Sequence, residues 1–165
     1  MDLRDLMPGR VGSFLGVMGW LLVGLYIQRR QFLRQGRNAA RAVYFELDVN
    51  LATITVARDH GLFTGLSRSA FERLLPELAT LVPAAELKLV VNAYTTHAGY
   101  LQMASRDDLP DEVRRAALKA FATTHEKALE ILGSCAFSTV ESRAIAGDRT
   151  DAATTTSERV EGVIP

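Results

Sequence analysis

The sequence predicts an all-α protein. One N-terminal transmembrane helix extends into a small antiparallel helical domain in the cytoplasm. Three observations carry that expectation. The run Val11–Ile27, VGSFLGVMGWLLVGLYI, holds no charged residue. An arginine cluster follows at once: Arg29, Arg30, Arg34, Arg37 and Arg41. Beyond it, apolar residues recur at helical spacing, and no stretch alternates as a strand would.

The apolar run comes first in the chain. A helix needs about 20 residues to cross a hydrocarbon core of ~30 Å. The run is slightly short, and Gln28 with the stems of Arg29 and Arg30 extends it by snorkelling. Residues 11–28 are therefore expected to span the bilayer, with a short extracytoplasmic segment at 1–10. Positive charge close to a span stays on the cytoplasmic side. The upstream charges Asp2, Arg4, Asp5 and Arg10 roughly cancel, whereas the downstream flank is strongly basic. The N-terminus is thus expected outside and residues 29–146 in the cytoplasm. A cleaved signal peptide would need a basic n-region and a small-residue cleavage site. Here the n-region is neutral, and Gln28-Arg29-Arg30-Gln31 stands where cleavage would occur.

Pro8 suits the first turn of a helix. That helix meets no stop before Gly61, although Gly36 weakens it by ~1 kcal/mol relative to Ala. Leu33, Ala40, Leu47 and Ile54 recur every seven residues, with Val43 and Ala57 beside them. Ser69-Ala70-Phe71-Glu72 reads as a capping box opening a second helix. Pro76 is expected to interrupt or restart it. Pro83 opens a third helix with the stripe Leu87, Val90, Tyr94, His97, Leu101 and Ala104. Asp107-Asp108-Leu109-Pro110 marks a turn. A fourth helix runs from Pro110 to Leu132, on the stripe Val113, Ala117 or Leu118, Phe121, His125, Ala128 and Leu132. Gly133-Ser134 is expected to break it, and a short helix follows from Cys135 to Ala146. The Thr-rich segment 147–165 reads as a disordered tail.

Composition narrows the function. Lys+Arg and Asp+Glu both number 19, so overall charge points to no nucleic-acid partner. The one cysteine, Cys135, allows no internal disulfide. No phosphate-binding glycine loop, dinucleotide fingerprint, H-E-x-x-H, C-x-x-C or nucleophile elbow is present. The expectation is therefore a non-enzyme without cofactor, metal or small-molecule substrate.

Several residues are candidates for binding. Arg29, Arg30, Arg34, Arg37 and Arg41 form a topogenic, membrane-surface cluster suited to anionic lipid head groups. Gly12, Gly16 and Gly24 share a face on which two membrane helices can approach closely. Glu46 and Asn50 lie at i, i+4 on one helix face. Asn50 sits on the apolar companion stripe, where a polar residue specifies register or partner, or is satisfied within its own domain. His97 and His125 lie on core stripes of neighbouring helices. A hairpin turning at Asp107-Asp108 places His97 level with Leu118 and His125 level with Val90. That offset of ~10 Å is too long for shared ligation. An enzymatic site built from Tyr94, His97, His125 and Glu126 is disfavoured on the same ground.

The segments RAVYFELDVNLATI, FERLLPEL and LKLVVNAYTTHAGYL resemble a layout found in uncharacterised bacterial single-pass membrane proteins with a cytoplasmic helical domain. Glu46, Asn50, Phe71, Pro76 and Tyr94 are the matching positions. The resemblance covers about two-fifths of the chain by the span from Arg41 through Ala104. It implies an architecture and carries no activity. The expected function is a membrane-anchored helical scaffold. It would dock a membrane-protein partner or self-associate at the inner membrane face. The competing expectation is an oligomeric membrane effector or small pore former of a defence or lysis type.

Overall fold

The structure is a computed structural model that describes residues 7–106, 108–141 and 144–145, with side chains from Gly16 onward. Among the described residues every regular element is helical: α1 (Met7–His60), α2 (Ser69–Leu81), α3 (Ala84–Ala104) and α4 (Asp111–Ala136). The chain divides into two compact units, Met1–Gln35 and Gly36–Pro165.

In the first unit, residues 16–35 are helical and every one is exposed. Trp20 is 77% accessible, and Leu22 and Leu25 are more than 60% accessible. Arg30 lies over the Tyr26 ring, 5.2 Å from its centroid. Among the described residues no helix is long and apolar enough to cross a membrane. The expected span begins at Val11, so its side chains 11–15, Gly12 among them, lie outside the described set. Of the expected segment 1–10, residues 1–6 lie outside the described set and 7–10 belong to α1, and the expected tail 147–165 lies outside the described set as well.

The second unit contains the core. One side of α1 buries Ala40, Val43, Leu47, Ile54 and Ala57. This is the heptad-spaced stripe that the sequence predicts from Ala40 on, whereas Leu33 is exposed. Val43 and Leu47 join Phe71, Leu78, Val90 and Leu132 in one cluster. Ile54 and Ala57 join Tyr100, Met103, Leu118 and Ala122 in a second. α1 ends where expected. Gly61 takes φ +68° and its N–H donates to the Ala57 carbonyl at 3.0 Å. A left-handed residue just past the last turn is the usual glycine stop.

The later helices differ from expectation in instructive ways. Pro76 sits inside α2 without ending it. Pro83 and Pro110 stand at the N-cap positions of α3 and α4. Their carbonyls accept the first helical bonds, from Leu87 and Arg114. Leu101 and Val113 are exposed, at 58% and 53%. The buried face of α3 instead follows Val90, Ala93, Tyr94, His97, Tyr100 and Met103. Gly133-Ser134 does not break α4, which continues to Ala136. The Ser134 hydroxyl donates to the Ile131 carbonyl at 2.7 Å, so the helix satisfies it internally. The chain turns extended only at Phe137. Ser138 and Glu141 then form a reciprocal capping box. The Ser138 N–H donates to the Glu141 carboxylate at 2.8 Å, and the Glu141 N–H donates to the Ser138 hydroxyl at 3.4 Å.

Candidate functional site

α1 places Glu46 and Asn50 one turn apart, opposite the chain that enters α2. Asn50 holds that chain with both ends of its amide. Its Nδ2 donates to the Ser67 carbonyl at 2.7 Å, and its Oδ1 accepts from the Ser67 N–H at 2.9 Å. Asn50 is 1% accessible, so this pairing satisfies a buried amide.

Glu46 acts one turn earlier. Its Oε2 accepts from the Ala70 N–H at 2.8 Å and its Oε1 from the Phe71 N–H at 3.1 Å. These are free donors in the first turn of α2, the groups that a helix cap must satisfy. The Ser67 hydroxyl adds a bond at 2.8 Å and the Tyr94 hydroxyl another at 2.8 Å. The expected capping box is therefore replaced. Arg68, not Ser69, stands at the N-cap, without a side-chain cap bond of its own. Ser69 turns its hydroxyl to Glu46 at 3.3 Å, and Glu72 pairs with Arg68 at 2.6 Å. A carboxylate from another helix supplies the cap.

The electrostatics follow from the donors. Burial alone pushes the Glu46 carboxyl up. The Ala70 N–H, Tyr94, Ser67 and the Phe71 N–H together outweigh it and hold the group below the ordinary carboxylate value. Burial first, and then donation to Glu46, hold the Tyr94 phenol far above its ordinary value. The Tyr94 ring stacks on Phe71, centroids 4.1 Å apart and planes 13° apart. Glu46, Asn50, Phe71 and Tyr94 thus meet at one junction of α1, α2 and α3. The spacing of Glu46 and Asn50 pointed to a shared role. No local signal connected them to Ser67 or Tyr94.

The histidine register is corrected. His97 Nε2 and His125 Nε2 are 3.3 Å apart, not separated by about two turns. The planes differ by only 9° with centroids 5.5 Å apart. The centroids lie much farther apart than the facing nitrogens, so the rings meet head-on and nearly coplanar. The expected register assumed that α3 and α4 end level at the turn. Instead Arg114, in the first turn of α4, reaches back to the Arg106 carbonyl at 2.8 Å. The first two turns of α4, about 10 Å at 1.5 Å per residue, extend past the end of α3. Val113 is exposed for that reason. Gly99 lies two residues beyond His97, and a Cβ there would meet the ring of Phe121, one turn before His125, at 3.0 Å. Its missing side chain permits the close approach of α3 and α4.

His97 is 5% accessible and His125 is fully buried. Glu126 is exposed. Clefts lie elsewhere among the described residues. One of about 240 Å³ is lined by Arg58, Asp59, Asp111, Arg114 and Arg115. One of about 150 Å³ is lined by Arg37, Arg41, Ser134, Cys135, Ser138 and Glu141. In the second, Arg41 donates through Nε to the Ala136 carbonyl at 3.1 Å and pairs with Glu141 at 2.8 Å. It thereby neutralises the carbonyl end of α4. Among the described residues no group of three or more His, Cys, Asp or Glu could hold a metal ion.

Of the remaining candidates, those among the described residues are exposed. Arg29, Arg30 and Arg34 are exposed in the first unit. A Cβ built on Gly16 or Gly24 meets nothing within 4 Å. In the second unit, α1 carries a further apolar face beside the buried one, its Phe45 end edged by the Phe137 ring at 6.0 Å. Phe45, Val49 and Val56 are 53%, 64% and 42% accessible, and Ala52 between them is also exposed. Their spacing of four, three and four residues is that of a coiled-coil seam. The sequence reading missed this face because the stronger inner stripe accounted for the helical period. No family model matches the chain, and comparison with curated proteins and with solved structures finds no match.

Proposed function

We propose that the chain is a membrane-anchored helical scaffold whose second unit docks a partner, or another copy of itself, through the outer face of α1. The single observation that carries this reading is the two-sided character of α1 in that unit. Ala40, Val43, Leu47 and Ile54 are buried, while Phe45, Val49 and Val56 on another face are 42–64% accessible. A surface helix of a self-sufficient domain normally turns charged and polar residues to solvent. An uncovered apolar seam marks a contact surface.

The anchor belongs to the same reading. Residues 17–27 are apolar apart from Gly19 and Gly24, and all are exposed. Read together with residues 11–15, they make a charge-free run close to the length of a bilayer crossing. Arg29, Arg30 and Arg34 follow within two helical turns, the first two well inside a Debye length of ~8–10 Å from the end of the run and the third at about that distance. There they would hold the second unit on the cytoplasmic side and attract anionic lipid, at about 1 kcal/mol per residue.

The test is the size and composition of the full chain in mild detergent. The wild type should run larger than a monomer or carry a partner. Val49→Glu with Val56→Glu should abolish that association while leaving far-ultraviolet circular dichroism unchanged. A wild type that is strictly monomeric and purifies alone overturns the reading.

A further inference from the structure

The buried imidazole pair plays no part in anchoring or docking, yet its protons are placed by the surrounding bonds. The Phe121 carbonyl lies 2.9 Å from His125 Nδ1 and can only accept, so that nitrogen carries its hydrogen. In the neutral ring His125 Nε2 is then bare and accepts. His97 Nε2–H must be the donor across the 3.3 Å contact. That leaves His97 Nδ1 as a lone pair, buried and without a hydrogen-bond partner among the described residues.

We propose that the His97–His125 contact is an acid-released clasp between α3 and α4: directional while both rings are neutral, and broken once the pair takes up a proton. The clasp has no free site for that proton. At His97 Nδ1 it would create a buried N–H without an acceptor and an uncompensated charge. At His125 Nε2 it would set two N–H groups against each other. The charged and titratable groups around the pair do not remedy this. From α1, Glu46 favours a positive His97, but its oxygens are already occupied by donors from Ser67, Ser69, Ala70, Phe71 and Tyr94. Arg68, preceding α2, opposes it. On α3 itself, Tyr94 presents its ring 5.1 Å from His97 and points its hydroxyl at Glu46. From α4 comes His125, which opposes a second charge. Burial first, and then His125 and Arg68, pull His97 down to about 4. Burial also lowers His125, against the Phe121 carbonyl. Protons therefore enter through the opened form, which gains up to about tenfold in population per pH unit and per histidine below ~6.5.

The experiment follows imidazole signals and amide exchange by NMR on the full chain in micelles from pH 7.5 to pH 5. Both rings should stay neutral in the closed form across this range. Exchange in α3 and α4, corrected for intrinsic chemistry, should quicken by about tenfold or more per pH unit below ~6.5. His97→Gln keeps a donor toward His125 and cannot titrate, so it should lose about half of that acceleration on a logarithmic scale. His97→Gln with His125→Gln should lose it all. If these variants fail to fold, the wild-type titration decides alone. Rings that titrate near 6.5 with α3 and α4 still protected overturn the proposal. So does an undiminished acid response in the double variant.

Discussion

Glu46 caps a helix to which it does not belong, and its consequences can be argued one bond at a time. Replacing it by Ala strips the Ala70 and Phe71 N–H groups and the Tyr94 hydroxyl of their acceptor. Hydrogen bonds to a charged group contribute about 1.5–3 kcal/mol, and a lost cap about 1 kcal/mol. Glu46→Ala should therefore lower the unfolding free energy by roughly 2–3 kcal/mol in chemical denaturation. Glu46→Gln should cost nearly as much, because both carboxylate oxygens face N–H donors and an amide turns one of them into a donor. Tyr94→Phe leaves those N–H bonds intact and should cost only about 1 kcal/mol. Acid separates this site from the histidines. The Glu46 carboxyl is depressed on folding, so its contribution is complete above ~4.5 and is lost as pH falls through its lower folded value. His97 is also depressed, but from 6.5 to about 4, so its contribution is complete above 6.5 and drains away across that window. Stability measured against pH should fall in two stages. Replacing both histidines by Gln should remove the first stage only.

Helices show where local signals suffice and where they stop. Gly61 ends α1, and Pro83 and Pro110 precede α3 and α4, because each acts through its own backbone within a turn. The inner stripe of α1 is legible for the same reason: its period lies within one element. The cap of α2 is not legible, because its carboxylate comes from Glu46, many residues upstream on another helix. The α3–α4 register is not legible either, because contacts between elements, His97 with His125 and Arg114 with the Arg106 carbonyl, mark it and no periodicity encodes them. Gly36 lies between these cases. As a helix interior glycine it reads as a weak point, about 1 kcal/mol worse than Ala. The structure supplies what offsets that weakness. A Cβ at Gly36 would lie 3.0 Å from the Leu81 Cβ and 3.5 Å from the Glu77 carbonyl oxygen. A Leu81 Cβ cannot swing aside without moving the end of α2. Gly36→Val should therefore destabilise the second unit by roughly 1–3 kcal/mol, despite removing a glycine from a helix. Gly65→Val meets nothing within 4 Å and serves as the control in thermal unfolding. Equal melting temperatures for the two variants would show that the contact carries no weight.

For the whole molecule, net charge is the least informative number and charge placement the most. The chain is formally neutral, yet between Ile27 and Glu46 it carries five arginines and no acid. Folding within the second unit uses Arg41, which binds Ala136 and Glu141. Arg29, Arg30 and Arg34 are exposed in the first unit, so orientation would fall chiefly to them. This separates topology from stability in a testable way. Arg29→Gln, Arg30→Gln and Arg34→Gln together should leave the unfolding of the second unit within about 0.5 kcal/mol, as exposed substitutions usually do. The same three changes should randomise insertion, since Arg4 and Arg10 upstream then face an equal number of arginines downstream, Arg37 and Arg41, and acidic residues weigh little in orientation. A cysteine at Ser105, at the end of α3, reports the side on which the second unit lies once Cys135→Ser has removed the native thiol. In intact cells an impermeant maleimide should leave that cysteine unlabelled while the arginines are present, and should label a large fraction once they are replaced. Labelling already complete with the arginines in place would place the second unit outside. No membrane-bound fraction at all would remove the anchor, and with it the reason for concentrating the seam of α1 near a bilayer.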